Sequence, residues 1–269
     1  MEKQIDVVVV GAGPVGLLAA IELALDGVSV LVLERLTAPS AVDKALGIGP
    51  LGSEALQRRG MAAAIAAAEE RAFAAMKQSM PQTGPAARGP GSKFSGHFAG
   101  LTLIRRDVQK EPERRFRPVD QHAVEAMLAT RASALGIEVR RACDVTALVQ
   151  QADGVDVEWA SPAGAGRIRC SWLAACDGGR SGVRKIAGFD FPGTSPTSTF
   201  YNAVVEIDHP ERLLPAGWRR TSAGVFSHGF LSGRLVMLDS AAHPTTARRP
   251  SRARKSKPYC AASAARTCA

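Results

Sequence analysis

Asp6 to Arg35 reads DVVVVGAGPVGLLAAIELALDGVSVLVLER, and this stretch restricts the fold more than any other. Ile5 to Val10 is a continuous valine-rich run, which predicts a strand buried on both faces of a parallel sheet. Gly11-Ala12-Gly13-Pro14-Val15-Gly16 follows without a break. In such a turn the first glycine permits the tight bend and the second lets backbone approach a pyrophosphate. The third lets a helix pack closely on the strand. A helix from Pro14 to about Asp26 aims its positive N-terminal end, with Val15 and Gly16 in its first turn, at those phosphates. Gly27 stops it, and Ser29 to Leu33 is the second strand. Glu34 ends that strand 23 positions after Gly11, where a carboxylate can accept hydrogen bonds from ribose hydroxyls. Together these features point to nucleotide binding. The acid favours an unphosphorylated ribose, so FAD or NAD rather than NADP.

A second stretch, WLAACDGGRSGVRKIAGFDFPG (Trp172 to Gly193), separates those two cofactors. Trp172 to Cys176 reads as a buried strand ending at Asp177-Gly178, with a short helix begun by Ser181, Val183 and Arg184. This segment resembles the DG fingerprint of the class A FAD-dependent aromatic hydroxylases, the p-hydroxybenzoate hydroxylase type. Among these it is most similar to the hydroxylases that tailor aromatic polyketides. The resemblance runs from residue 4 to about residue 240 and includes HFAGL (His97 to Leu101) and VDQHAVEAMLATRASALGIEVRR. It implies an α/β fold: a Rossmann-like FAD-binding domain of the GR2-type flavoproteins, with the beginning of a β-sheet substrate domain inserted.

Site residues follow from the resemblance position by position. Gly11, Gly13, Pro14, Val15 and Gly16 resemble the family's pyrophosphate turn. Glu34 resembles its ribose ligand, and Arg35 the basic residue beside the adenosine. Gln121 is similar to the side chain that reaches the phosphate–ribityl region, and Val145 to the residue whose backbone meets the adenine. Asp177 and Gly178 resemble the pair that serves both FAD binding and the passage of NAD(P)H. Two positions depart from the pattern. Lys44 stands where an arginine is usual, keeping the charge without the fork geometry. Leu51 stands where a further arginine is expected. The implied chemistry is reduction of FAD by NAD(P)H as co-substrate, then transfer of one oxygen of O₂ to a phenol-like ring. The flavin carries the difficult step, so no catalytic acid or base is nominated. Arg180 and Arg184 fit surface charges as well as nucleotide contacts, and His97 and His122 fit solvated or structural roles. No His, Cys or Asp spacing suggests a metal.

The chain divides on this basis into 1–80 and 119–196 for FAD, with 81–118 as a loop and strand near the active site. Residues 197–240 begin the substrate sheet, and 241–269 form a basic tail. Between the motifs, Glu54 to Lys77 reads as helical with an interruption near Gly60. Pro81 to Gly96 reads as a mobile Pro/Gly loop, and Ala123 to Leu135 as a helix. Strands are expected at Glu138 to Arg140, Val145 to Gln150, Val155 to Trp159, Phe200 to Ile207, Ala223 to His228 and Leu235 to Asp239.

The net charge of +9 belongs to the tail. Residues 241–269 hold seven of the 34 Lys and Arg residues and no acid, so the rest balances 27 basic against 25 acidic side chains. A basic arm for nucleic acid or an anionic membrane, an ordinary solvated tail and a lost reading frame near Asp239 all fit such a segment. Lost frame is preferred, because out-of-frame GC-rich DNA gives Ala/Arg/Pro/Ser/Thr text of this kind. The resemblance also implies a later Gly-Asp-Ala-Ala-His segment. Leu238 to Pro244 has only a passing likeness to it, without the glycine and with an extra residue. Five cysteines without a CxxC pair suggest reduced thiols and a cytoplasmic protein. No apolar run reaches the length of a membrane span. The expected partner is a small aromatic substrate. An FAD-binding fragment without activity, or another FAD-dependent oxidoreductase, remains an alternative.

Overall fold

The computed structural model describes residues 5–42, 44–79, 94–98, 101–105, 107–108, 110–111, 113–209, 212, 217–221, 224–228 and 233–239. The chain folds as two compact units, Met1–Glu69 with Arg117–Pro192, and Glu70–Phe116 with Gly193–Ala269. In chain order the first elements are β1 (Ile5–Val10), α1 (Pro14–Leu25), β2 (Val30–Leu33), α2 (Pro50–Leu56) and α3 (Ala62–Ser79). Next come β3 (Phe94–Phe98), β4 (Leu101–Arg105), α4 (Gln121–Ala134), β5 (Glu138–Arg140), β6 (Asp144–Gln151) and β7 (Gly154–Ser161). The remainder are β8 (Gly164–Ala175), α5 (Gly182–Ile186), β9 (Thr199–Val204), β10 (Gly217–Thr221), β11 (Gly224–His228) and β12 (Arg234–Asp239).

The first unit is built on one six-stranded sheet in the order β5-β2-β1-β8-β7-β6. The valine run explains its centre. Val8 and Val9 are fully buried, and side chains on a strand alternate between faces. Val7 and Val9 therefore pack with Leu17, Ile21, Ile65, Val124 and Leu128 of α1, α3 and α4. Val8 and Val10 pack on the other side with Leu31, Leu33, Cys143, Val157 and Cys170. Each such side chain contributes about 1.5–3 kcal/mol through burial.

The strand β8 belongs to two ladders. From Gly164 to Cys170 it pairs antiparallel with β7, and from Cys170 to Ala175 it runs parallel to β1. Cys170 is paired on both sides, with Ile5 and with Val155. Sequence patterning found only its last third, and it placed Trp172 in a buried strand. Trp172 is in fact 75% exposed. The apolar run there is one side of a strand whose neighbours alternate, not a strand buried on both faces.

The expected helix interruption is at Gly60, which has φ +82° within the joint Gln57–Met61. Arg59 in this joint ion-pairs with Glu22 of α1, its Nε donating to Glu22 Oε1 at 2.5 Å. Helix formation begins at Pro50, earlier than the alanine-rich run suggests, because Pro50 is preorganised for a first helical position. In α4 the start is likewise earlier, at Gln121. Asp120 caps it by accepting a hydrogen bond from Ala123 N at 2.7 Å.

The second unit contains a four-stranded antiparallel sheet, β10-β11-β12-β9, and a separate β3–β4 hairpin. Leu235 and Met237 alternate along β12 into the buried side. The strand β10 was not expected, because Arg219 and Arg220 give it a charged, exposed aspect. Leu238 and Asp239 are strand residues paired with Phe200 and Thr199. Phe94 to Gly96, expected in a loop, lie in β3, and 81–93 of that loop fall outside the described residues. The tail 241–269 also falls outside them.

Candidate cofactor-binding site

At the end of β1 the two sequence motifs meet. Gly11 has φ +105°, a conformation that L side chains rarely adopt. A Cβ on Gly11 would lie 2.6 Å from the carbonyl oxygen of Cys176 and 3.2 Å from the Cα of Asp177. A Cβ on Gly16 would lie 1.9 Å from the carbonyl oxygen of Gly11. The glycines at both positions are therefore required by backbone packed against them. Cys176 N donates to Val10 O at 2.8 Å, which carries the β1–β8 ladder up to the turn.

Gly13 is different. Its φ of −77° and ψ of −179° are open to any residue, and a Cβ there would meet nothing within 4 Å. It is also the first residue of the α1 start, where no side chain caps the helix. Pro14 has no N–H to offer, and Val15 beside it is 70% exposed. The start of α1 is thus a backbone surface with open space before it, carrying the positive end of a 12-residue helix. This is the cradle a pyrophosphate needs, and the residues present fit FAD.

Glu34 closes β2. Its Oε2 accepts from Ala12 N at 2.7 Å and its Oε1 from Leu36 N at 2.8 Å. The acid thereby ties the glycine turn to the end of β2, a contact that sequence spacing alone did not disclose. Cys143 N donates to Glu34 O at 2.9 Å, so the chain entering β6 passes beside this acid. Val145 lies two residues further on, paired with Trp159 and next to a bulge. Arg35 is exposed at the same end.

Lys44 and Gln121 are brought together from 77 positions apart. Lys44 N donates to Gln121 Oε1 at 3.3 Å, and Gln121 N to Ala45 O at 3.1 Å. Gln121 Nε2 donates to Glu125 Oε1 at 2.7 Å, so the amide is held at both ends. The Lys44 side chain is exposed.

Asp177 turns its carboxylate toward its own helix. Oδ1 accepts from the Ser181 hydroxyl at 2.6 Å, and Oδ2 from Gly182 N at 2.7 Å and Val183 N at 3.1 Å. Burial pushes the acid up, but these donors together outweigh it and hold Asp177 below the usual carboxylate range. Ser181 in turn caps α5 by accepting from Arg184 N at 2.9 Å. Asp-x-x-x-Ser ahead of a short helix was a visible cap signal, read instead for its likeness to a fingerprint. Gly178 follows with φ +86°. Burial, and then the charge of Asp177, push the Cys176 thiol up. The Arg184 guanidinium lies 4.8 Å from the Phe191 ring centroid and donates to Phe189 O at 3.2 Å. Among the described residues no group of three His, Cys, Asp or Glu could hold a metal, and no helix is long and apolar enough to cross a membrane.

The sequence pattern described as FAD binding domain matches residues 4–244. The chain belongs to the FAD-binding class A monooxygenase family. Within the family, a monooxygenase of Claviceps purpurea (strain 20.1) is 37% identical over 234 residues, which are 82% of this chain and 43% of that protein. The 12-dehydrotetracycline 5-monooxygenase/anhydrotetracycline 6-monooxygenase of Streptomyces rimosus is 40% identical over 194 residues, 71% of this chain and 34% of that protein. Among solved structures, the anhydrotetracycline hydroxylase OxyS from Streptomyces rimosus superposes with a TM-score of 0.67 at 32% identity, covering 89% of this chain and 46% of that one. The chain spans less than half the length of each of these relatives.

Proposed function

We propose that the first unit holds FAD and serves an NAD(P)H- and O₂-dependent monooxygenation of an aromatic, polyketide-type substrate. The backbone of Gly11, Gly13 and the α1 start at Pro14, Val15 and Gly16 would hold the pyrophosphate, and Glu34 the ribose. Arg35 and the Val145 backbone would border the adenosine. Lys44 and Gln121 would face the phosphate–ribityl part, and Asp177-Gly178 would complete the cradle. FAD, when bound, supplies the redox and oxygen-transfer chemistry; the protein's part is to hold it, orient it and keep water away. The antiparallel sheet of the second unit would serve as the substrate sheet. Relatives named for anhydrotetracycline hydroxylation support the substrate class.

The single observation that carries this reading is the meeting of Gly11 with Cys176 and Asp177, with open space kept over Gly13. The test uses purified protein mixed with FAD. Quenched flavin emission, a higher melting temperature and bleaching of the bound chromophore by NAD(P)H support it. Emission and melting unchanged at excess FAD would refute it. Because the chain covers under half of each relative, a second reading is that it holds FAD without turnover. Bound flavin that NAD(P)H does not bleach selects this second reading.

A further inference from the structure

Glu69 is the last residue of the first unit before the chain departs, and Arg117 is the first on its return. These two residues, 48 positions apart, form an ion pair: Arg117 Nη1 donates to Glu69 Oε2 at 2.8 Å. Their side chains are only 9% and 7% exposed. Burying two charges carries a desolvation cost that an apolar pair of similar volume avoids, so such a pair adds little stability. What it adds is one fixed, directional geometry.

That geometry is passed on through the main chain. Arg117 N donates to Ile48 O and Ile48 N to Arg117 O, both at 3.0 Å, an isolated antiparallel bridge. Three and four residues away on the two segments, Gln121 N reaches Ala45 O and Lys44 N reaches Gln121 Oε1. Residues 44–48 and 117–121 are therefore one strap. Arg117 anchors one end of it, and the Lys44–Gln121 contact forms the other.

We infer that Glu69 and Arg117 are a positioning pair for the cofactor, setting Gln121 and Lys44 toward the phosphate–ribityl part rather than touching it themselves. This rests on the reading that the first unit holds FAD. Without the pair the strap keeps its backbone bridge but loses the side-chain lock at its root. The bound geometry must then be ordered at the moment of binding, which lowers affinity.

The test compares the wild-type chain with the double variant Glu69→Leu/Arg117→Met and with Arg117→Lys. FAD affinity is read by flavin fluorescence at 10 °C, and the melting temperature is read without FAD. The double variant replaces a buried pair by apolar groups, so its FAD-free melting stays near wild type while its Kd rises about tenfold. Arg117→Lys keeps the charge and loses the fork, and its Kd falls between the two. Wild-type Kd in the double variant, within twofold, overturns the inference, whatever its melting temperature. If the double variant does not fold, Arg117→Lys decides: unchanged Kd overturns the inference, and weakened Kd at unchanged melting supports it. A wild-type chain that binds no FAD overturns the reading beneath it, a result distinct from either.

Discussion

Gly13→Ala separates the fold from the ligand site at a single atom. The added methyl would project from backbone at φ −77° and ψ −179° into space where, beyond the adjoining residues of the chain, no atom lies within 4 Å. In the FAD-free protein, Gly→Ala at a compatible position stabilises by about 0.4–1 kcal/mol through the unfolded chain. Alanine at the start of a helix is less favourable than glycine by a comparable amount. The two nearly cancel, leaving a change within about 1 kcal/mol, or roughly 2–4 °C in melting temperature for a chain of this size. On the proposed reading, the same methyl would sit where backbone must approach the pyrophosphate once FAD binds. Overpacking of this kind costs about 1–3 kcal/mol, which is roughly a 5- to 150-fold weaker Kd. The assay pairs calorimetric or fluorescence titration of FAD with FAD-free melting. Gly16→Ala is the control of opposite sign: its Cβ would collide with the Gly11 carbonyl at 1.9 Å, so it lowers FAD-free melting directly. Wild-type FAD affinity in Gly13→Ala would refute the placement of the ligand over that residue. FAD-free melting reduced by more than about 4 °C would refute the open-space argument.

Two further outcomes follow from the DG segment. Ser181→Ala removes both the α5 cap and a donor to Asp177, costing about 1 kcal/mol near neutral pH. Because the folded Asp177 is held low, its contribution is full above its unfolded value, about pH 4, and is lost as pH falls through the depressed one. The gap between wild type and Ser181→Ala in denaturant melts therefore narrows in acid, and a gap that widens there contradicts the assignment. Cys176, held protonated by burial and by Asp177, reacts slowly with iodoacetamide at pH 7 and faster as pH rises above 9. Mass spectrometry of the labelled peptide checks this, and rapid labelling at pH 7 would contradict it.

The residues that were legible in the sequence are those whose role is set by neighbours along the chain. The Val7–Val10 run, the Gly11–Gly16 spacing and Glu34 specify strand, turn and acid locally, and β1, α1 and β2 form where that pattern puts them. Likewise Ala152-Asp153-Gly154 marks the β6–β7 hairpin. What escaped is set by partners distant in sequence. Arg167, Ile168 and Arg169 of β8 carry little strand signal of their own, and they are held by β7 and by ion pairs to Asp156. The inward turn of the Asp177 carboxylate depends on where α5 places its amides. The Ile48–Arg117 bridge and the Glu69–Arg117 pair join segments that no periodicity connects.

The double membership of β8 has a mechanical consequence. Twelve residues of extended chain span roughly 40 Å, and one end of them abuts the glycine turn while the other closes the hairpin with β7. Since Cys170 is hydrogen-bonded into both ladders, the parallel and antiparallel halves share a rod and cannot fray independently. A ligand that stiffens the turn beside Cys176 should slow amide exchange along the whole of that rod, from Ala175 back to Gly164.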